Sequence, residues 1–196
     1  MLKHVVIYIF GLSDHNARGQ ELAVKAWRLY GVRSETFHMY WTTPEPFADK
    51  LERLLAHIDQ LAQEYTVSLV GTSAGASVAV AAYAARPQSV HAVVYICGKL
   101  RSPETIRPRV YQENPAFRDA MAQVAPNLEA LDTHQRSRML SLRPLTDHQV
   151  PPADTIVTGA HNRQVLSAGH AFSIGACIVL YAPFFLWFIK RLKAEP

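Results

Sequence analysis

The sequence predicts an α/β fold in a single domain over residues 1–196, with a mostly parallel six-stranded sheet flanked by helices. Three observations lead there. Short β-favouring runs alternate with segments of helical periodicity, the pattern of strands joined by crossover helices. The runs Val5–Phe10 and Val90–Cys97 are apolar almost throughout, as strands buried on both faces are. A third run, Val67–Val70, leads straight into Gly71-Thr72-Ser73-Ala74-Gly75 and an alanine-rich segment, which is strand, sharp turn and helix in succession. With 196 residues, 49% of them hydrophobic, the chain is long enough to cover such a sheet on both faces.

Val5–Phe10 is the first strand, broken by Gly11-Leu12-Ser13-Asp14. A helix over Ala17–Tyr30 follows, with Leu22, Ala26, Leu29 and Tyr30 as its apolar stripe and Gly31 as its stop. Glu35–Tyr40 alternates more and reads as a strand nearer an edge. Pro44 and Pro46 open a helix over Phe47–Glu64, whose Leu51, Leu54, Leu55, Ile58 and Leu61 share one face. The strand carrying the serine turn comes next, then a helix over Ala76–Arg86, then the strand Val90–Cys97 closed by Gly98. Alternation of this kind argues for right-handed crossovers.

The stretch from Leu100 to Arg138 breaks the rhythm. It holds Pro103, Pro108, Pro115 and Pro126, with two short amphipathic pieces at Ala116–Val124 and Leu128–Met139. A connection that long suits either a small helical cap at about residues 100–138 or a crossover with one extra helix. Leu140–Leu145 and Arg163–Ser167 supply the fifth and sixth strands.

Bulk properties exclude several function classes. The net charge of +4 is mild, and the arginines between Arg101 and Arg143 lack interleaved aromatics, so no nucleic-acid face is expected. Cys97 and Cys177 sit in apolar surroundings and read as buried free thiols of a reducing compartment. Val5–Phe10 is too short for a signal-peptide core, so a cytoplasmic location is the expectation. No set of side chains has metal-ligand spacing, and Gly71–Gly75 lacks the lysine of a phosphate loop. Neither a metal nor a cofactor is expected.

The chemistry centres on Ser73. Glycines at 71 and 75 relieve crowding in a turn this tight, which presents the hydroxyl at the strand's C-terminal end. The amide of Ala74 then points at a developing oxyanion beside the positive end of the next helix. A serine needs a base to take its proton, and the base needs an acid to fix its tautomer. Both belong in loops after later strands, on the same sheet edge. Asp147 follows the fifth strand and His170 follows the sixth. Asp154 and Asp132 are alternative acids, and His148 and His161 alternative bases. Ser77, one turn into the helix, reads as a packing or capping residue.

Gly71-Thr72-Ser73-Ala74-Gly75 resembles the nucleophile elbow of the α/β-hydrolase superfamily. Asp147-His148-Gln149-Val150-Pro151 resembles its Asp-x-x-Val-Pro acid loop, and Gly169-His170 its terminal Gly-His. Phe10-Gly11-Leu12 occupies the place of the family's His-Gly-x oxyanion turn, with an aromatic where the family has histidine. The resemblance runs from about Val5 to Phe172. It implies an α/β-hydrolase fold lacking the first two antiparallel strands, with strand order 2-1-3-4-5-6. It also implies a triad of Ser73, His170 and Asp147 and a second oxyanion donor in the Leu12 amide. The activity implied is that of a serine hydrolase cleaving a carboxylic ester or related acyl bond in a small-molecule substrate. Apolar content near the site suggests an uncharged acyl chain, and the arginines of the 100–138 connection leave an anionic substrate open. Amidase, peptidase and thioesterase chemistry use the same parts, and a catalytically silent binding protein on this fold is the alternative from another class.

The end of the chain is strongly apolar, and a helix is expected at about residues 171–193. Ala171–Ile189 contains nineteen uncharged residues, followed by Lys190-Arg191-Leu192-Lys193. At about 1.5 Å per residue that length nearly matches a bilayer's hydrocarbon core. Pro183 interrupts it, and one sheet face does not account for a helix apolar on every side. The expectations are a helix packed on the sheet with a homodimer or cap contact, a membrane-surface contact, or a spanning anchor.

Overall fold

The computed structural model describes residues 3–192. Six strands form one sheet: β1 (Lys3–Ile9), β2 (Arg33–Phe37), β3 (Tyr65–Thr72), β4 (Val90–Ile96), β5 (Met139–Arg143) and β6 (His161–Gln164). Their order is β2-β1-β3-β4-β5-β6 and every neighbouring pair is parallel. The eight α-helices are α1 (Arg18–Lys25), α2 (Phe47–Ala62), α3 (Gly75–Ala85), α4 (Pro108–Glu113), α5 (Pro115–Ala130), α6 (Thr133–Ser137), α7 (His170–Val179) and α8 (Ala182–Arg191) among the described residues.

The period-2 alternation of the strands divides the interior into two cores. Val5, Ile7, Ile9, Val67, Leu69, Val93 and Tyr95 face α2, α3 and α5. Val6, Tyr8, Phe10, Val70, Val94 and Ile96 face the other way, under Val24 of α1 and Cys177, Phe185 and Ile189 of α7 and α8. Helix α3 is buried along most of its length, which explains its uniformly small, apolar sequence. The edge strands β2 and β6 keep half-buried and exposed polar residues, since each has one bonded neighbour and partial cover.

Several elements differ from the sequence expectation. The first helix runs from Arg18 only to Lys25 and continues as a 3-10 helix, Ala26–Tyr30, ended by Gly31 at φ 73°. Its inward stripe is Ala17, Gln20, Val24 and Trp27, while Leu22, Ala26, Leu29 and Tyr30 are exposed. The stripe is disguised by Gln20, whose Oε1 accepts from the buried Tyr8 hydroxyl at 2.6 Å. Trp27 is fixed by donation from Nε1 to the Ile178 carbonyl at 2.9 Å. Strand β2 stops at Phe37, and just beyond it the Met39 and Tyr40 carbonyls accept from Lys50 Nζ instead of pairing in the sheet.

In the long connection, Pro126 does not divide two pieces: α5 is one helix of 16 residues. Its buried contacts, Ala116, Phe117, Ala120, Met121 and Val124, all precede Pro126, so packing on α3 holds the helix before the proline acts. This is the crossover between β4 and β5. Of it, only Thr105, Ile106, Arg107, Val110 and Phe117 border the cavity described below. Strand β5 begins at Met139 and β6 at His161, each displaced toward the N-terminus of its expected range.

The expected single C-terminal helix is two. Helices α7 and α8 meet at a 59° bend, with Pro183 in the first turn of α8. Among the described residues no single helix is long and apolar enough to cross a membrane. Ile174, Cys177, Ile178, Phe185, Leu186 and Ile189 pack on the sheet, and Phe172, Val179, Leu180, Phe184 and Trp187 remain exposed. Lys193, the last residue of the expected helix, lies outside the described residues.

Candidate active site

Strand β3 delivers Ser73 to the C-terminal edge of the sheet, between neighbours β1 and β4. Ser73 has φ 51°, a left-handed conformation unusual for a side-chain-bearing residue and a store of backbone strain. The turn is pinned by its own main chain. The Ser73 amide donates to the Ile96 carbonyl at 3.0 Å, and the Ser73 carbonyl accepts from Ala76 at 3.2 Å and Lys99 at 3.1 Å. Both flanking glycines are required by close approach. A Cβ on Gly71 would lie 2.6 Å from the Gly75 carbonyl oxygen, and one on Gly75 would collide with the carbonyls of Ile9 and Phe10.

His170 and Asp147 reach Ser73 from the loops after β6 and β5. Those loops continue the parallel pairing through a bridge between Thr146 and Ala168, and the Gly169 amide donates to the Thr146 carbonyl at 2.8 Å. Gly169 takes φ 82°, which turns the chain so that His170 opens α7. His170 Nε2 lies 2.9 Å from Ser73 Oγ, and Nδ1 lies 2.7 Å from Asp147 Oδ2. The other Asp147 oxygen accepts from the amides of Gln149 at 2.8 Å and Val150 at 2.9 Å. The Asp147 side chain is fully buried, so the carboxylate is held in one orientation. With a carboxylate on Nδ1, that nitrogen carries the proton and Nε2 is left to accept from the serine hydroxyl.

The alternatives have other partners. Asp132 caps α6 in a reciprocal box with Gln135. Asp154 lies inside the 3-10 turn Pro152–Thr155, where it pairs with Lys99 and accepts from Ser102 Oγ at 2.9 Å. His161 begins β6 and packs edge-on against Phe188. His148 lines the cavity without a hydrogen bond to Ser73. Ser77 Oγ donates to the Ala74 carbonyl at 2.7 Å, a helix-start contact. Neither cysteine is available as a nucleophile: burial raises the Cys97 thiol pKa far above its ordinary value and pushes Cys177 up to about 12.

Ser73 and His170 open into a cavity of about 690 Å³. Leu12 and Ala74, whose amides are the expected oxyanion donors, are in its lining. The Leu12 turn is pressed against the nucleophile, since a Cβ on Gly11 would sit 3.0 Å from Ser73 Cβ. It is braced from behind by Trp41, whose Nε1 donates to the Phe10 carbonyl at 3.4 Å. Ile106, Val110, Phe117 and Val150 make one wall apolar, and Lys99, Thr105, Arg107, His148 and Gln149 make the remainder polar. Sequence reasoning did not single out Lys99, Arg107 or the bracing Trp41. Lys99 had a usable signal, its place just past Gly98 at the same strand edge as Ser73.

Comparison with known proteins agrees with this architecture. No curated protein sequence matches the chain. Among solved structures, one of the metagenome-derived lipolytic enzymes LipS and LipT superposes with a TM-score of 0.67 at 17% identity, covering 97% of this chain and 94% of that one. MGS-MChE2, an α/β-hydrolase enzyme from a sediment metagenome of the Mar Chica lagoon in Morocco, gives 0.62 at 17% identity, covering 96% and 92%. The thioesterase domain from the curacin biosynthetic pathway gives 0.59 at 19% identity, covering 96% and 91%. The sheet order, the parallel pairing and these superpositions make the fold that of the α/β hydrolases. Residues 13–149 match the family described as bacterial virulence protein (VirJ), and with most of its length inside that match the chain belongs to the VirJ family.

Proposed function

We propose that the protein is a serine hydrolase that cleaves a carboxylic ester, or a related acyl bond such as a thioester, in a small-molecule substrate. The observation that carries this reading is the continuous hydrogen-bonded path from Ser73 through His170 to buried Asp147, opening on a cavity. In the mechanism, Ser73 Oγ attacks the substrate carbonyl while His170 Nε2 takes its proton. Asp147 holds the Nδ1 proton and stabilises the imidazolium that forms. The amides of Ala74 and Leu12 receive the oxyanion, with the N-terminus of α3 adding its partial positive charge. His170 returns the proton to the leaving group, which departs and leaves Ser73 acylated. Water then enters by the reverse sequence and frees the acid.

The strained φ of Ser73 fits this role, since a nucleophile at a sharp turn stands clear of its own strand. The test is labelling by a fluorophosphonate probe together with turnover of short p-nitrophenyl esters. Labelling at Ser73, and loss of both signals in Ser73→Ala, are expected. Folded wild-type protein that takes up no probe and cleaves no ester, thioester or amide would remove the proposal.

A further inference from the structure

Lys99 and Arg107, the lysine and arginine that line the cavity, have no acidic counterpart in its lining among the described residues. The two cations differ in how they are held. Lys99 is buried, and its Nζ pairs with Asp154 and donates to Thr105 Oγ1 at 2.8 Å, leaving one of three ammonium protons uncommitted. Its backbone amide bonds the Ser73 carbonyl, so the lysine is fixed directly beside the nucleophile. Arg107 is exposed at the rim, and its guanidinium takes part in no hydrogen bond or ion pair among the described residues. That sets it apart from Arg53, Arg86 and Arg109, which pair with Glu45, Asp59 and Glu113.

The wall that presents Arg107 is not loose. Asp154 ties together Lys99 and Ser102, while Thr105 is held by Lys99 and by its own bond to the Ser102 carbonyl at 2.8 Å. Asp154 offsets the charge of Lys99 and leaves that of Arg107 uncompensated. A guanidinium fork without a carboxylate, at the mouth of a cavity without acids, suits a planar or tetrahedral anion.

We propose that the substrate carries an anionic oxygen group, a carboxylate or a phosphate, bound at the cavity wall by Arg107 with Lys99 behind it. This rests on the hydrolase reading and names the substrate class of that same site. Arg107 determines specificity and takes no part in the chemical step.

The test uses two pairs of substrates, each pair sharing the ester bond cleaved and the carbon chain that carries or lacks the charge. One pair places the charge on the acyl side: p-nitrophenyl hemiglutarate against p-nitrophenyl pentanoate. The other places it on the alcohol side: the butyrate ester of 2-hydroxyethyl phosphate against that of ethylene glycol. The wild type is expected to prefer the anionic member of at least one pair by roughly tenfold or more in kcat/KM, the scale of one hydrogen bond to a charged group. Arg107→Gln should abolish the preference and Arg107→Glu reverse it, the readout being the anionic-to-neutral ratio of kcat/KM within each variant. Added salt should shrink the preference, because Arg107 is exposed. Neutral esters cleaved through Ser73 with no preference in either pair would overturn this proposal and leave the hydrolase reading standing. A preference that survives Arg107→Gln would do the same. Should no ester be cleaved, calorimetric binding of glutarate and ethyl phosphate to Ser73→Ala decides the matter: binding lost in Ser73→Ala/Arg107→Gln supports the anion site, and absence of binding ends it.

Discussion

Asp147 and His170 share a hydrogen bond of 2.7 Å in which the carboxylate has no freedom to turn, because its second oxygen already accepts from the amides of Gln149 and Val150. This predicts the outcome of Asp147→Asn. The asparagine oxygen keeps the two amide bonds, so its NH2 group faces His170 Nδ1 and donates to it. The ring then carries its proton on Nε2, the nitrogen that must accept from Ser73. Ester turnover should fall by about 10³–10⁴-fold. The circular dichroism spectrum should stay unchanged, since the same backbone bonds persist. A loss smaller than tenfold would show that the tautomer argument is wrong.

A second prediction concerns the turn that presents the serine. Gly75→Ala pushes a methyl group into the carbonyls of Ile9 and Phe10, both backbone atoms of the central strand region that cannot move aside cheaply. A loss of about 3 kcal/mol or more is expected, by analogy with overpacked cores. Gly19→Ala is the control. It lies in α1 with nothing within 4 Å of the added methyl, so a gain of about 1 kcal/mol is expected from helix propensity. Denaturant midpoints of the two variants should move in opposite directions.

What was legible in the sequence follows from how each signal is encoded. Ser73, Asp147 and His170 were legible because parallel strands deliver their C-terminal loops to one edge, so order along the chain becomes proximity. Lys99 was legible only as a residue just past Gly98 at that edge, and Arg107 only as one of several arginines in the long connection, because which cation lines a cavity shows itself once the cavity is formed. The buried stripe of α1 was misread because Gln20 is polar yet faces inward to meet the Tyr8 hydroxyl, a pairing invisible to hydrophobic periodicity. Pro126 misled in the opposite sense, since the burial of Phe117, Met121 and Val124 outweighs the local penalty of a proline near the helix end. The apolar tail reads as one span in composition, and Pro183, in the first turn of α8, is the local signal of the 59° break between α7 and α8.

Lys50 gives a prediction about the loop behind the oxyanion turn. This side chain is fully buried, and burial lowers the pKa of its ammonium below the ordinary lysine value. It donates to the carbonyls of Met39 and Tyr40, at 2.9 and 2.7 Å, and to Thr43 Oγ1 at 2.6 Å. Lys50→Met conserves the bulk of the stem but leaves these carbonyls without a donor. A cost of about 2–4 kcal/mol is expected. The same loop carries Trp41, which braces the Phe10 carbonyl, so kcat for ester cleavage should fall more than KM rises. A variant as stable and active as the wild type would mean that water replaces the ammonium without loss.

The last prediction is a pH dependence of stability located at His4, on the first strand and far from the serine. Burial lowers its pKa below the ordinary histidine value, and the positive charge of Lys190 lowers it further. Its Nδ1 is buried without a hydrogen-bond partner, so a proton there would gain nothing. The neighbouring ring, His91, stands edge-on at 5.5 Å with one nitrogen facing Arg138 and the other the Ile189 carbonyl, so it provides no anion for a charged His4. The unfolded chain binds a proton at this histidine near pH 6.5, whereas the folded chain resists it until lower pH. The unfolded state therefore holds more protons across that interval, and this contribution to stability falls as the pH drops through about 6.5 toward the folded pKa. His4→Gln should make the denaturation midpoint fall less steeply than in the wild type between about pH 7 and pH 5, the range set by the ordinary histidine pKa. Parallel wild-type and variant curves over that range would place the acid sensitivity at another group.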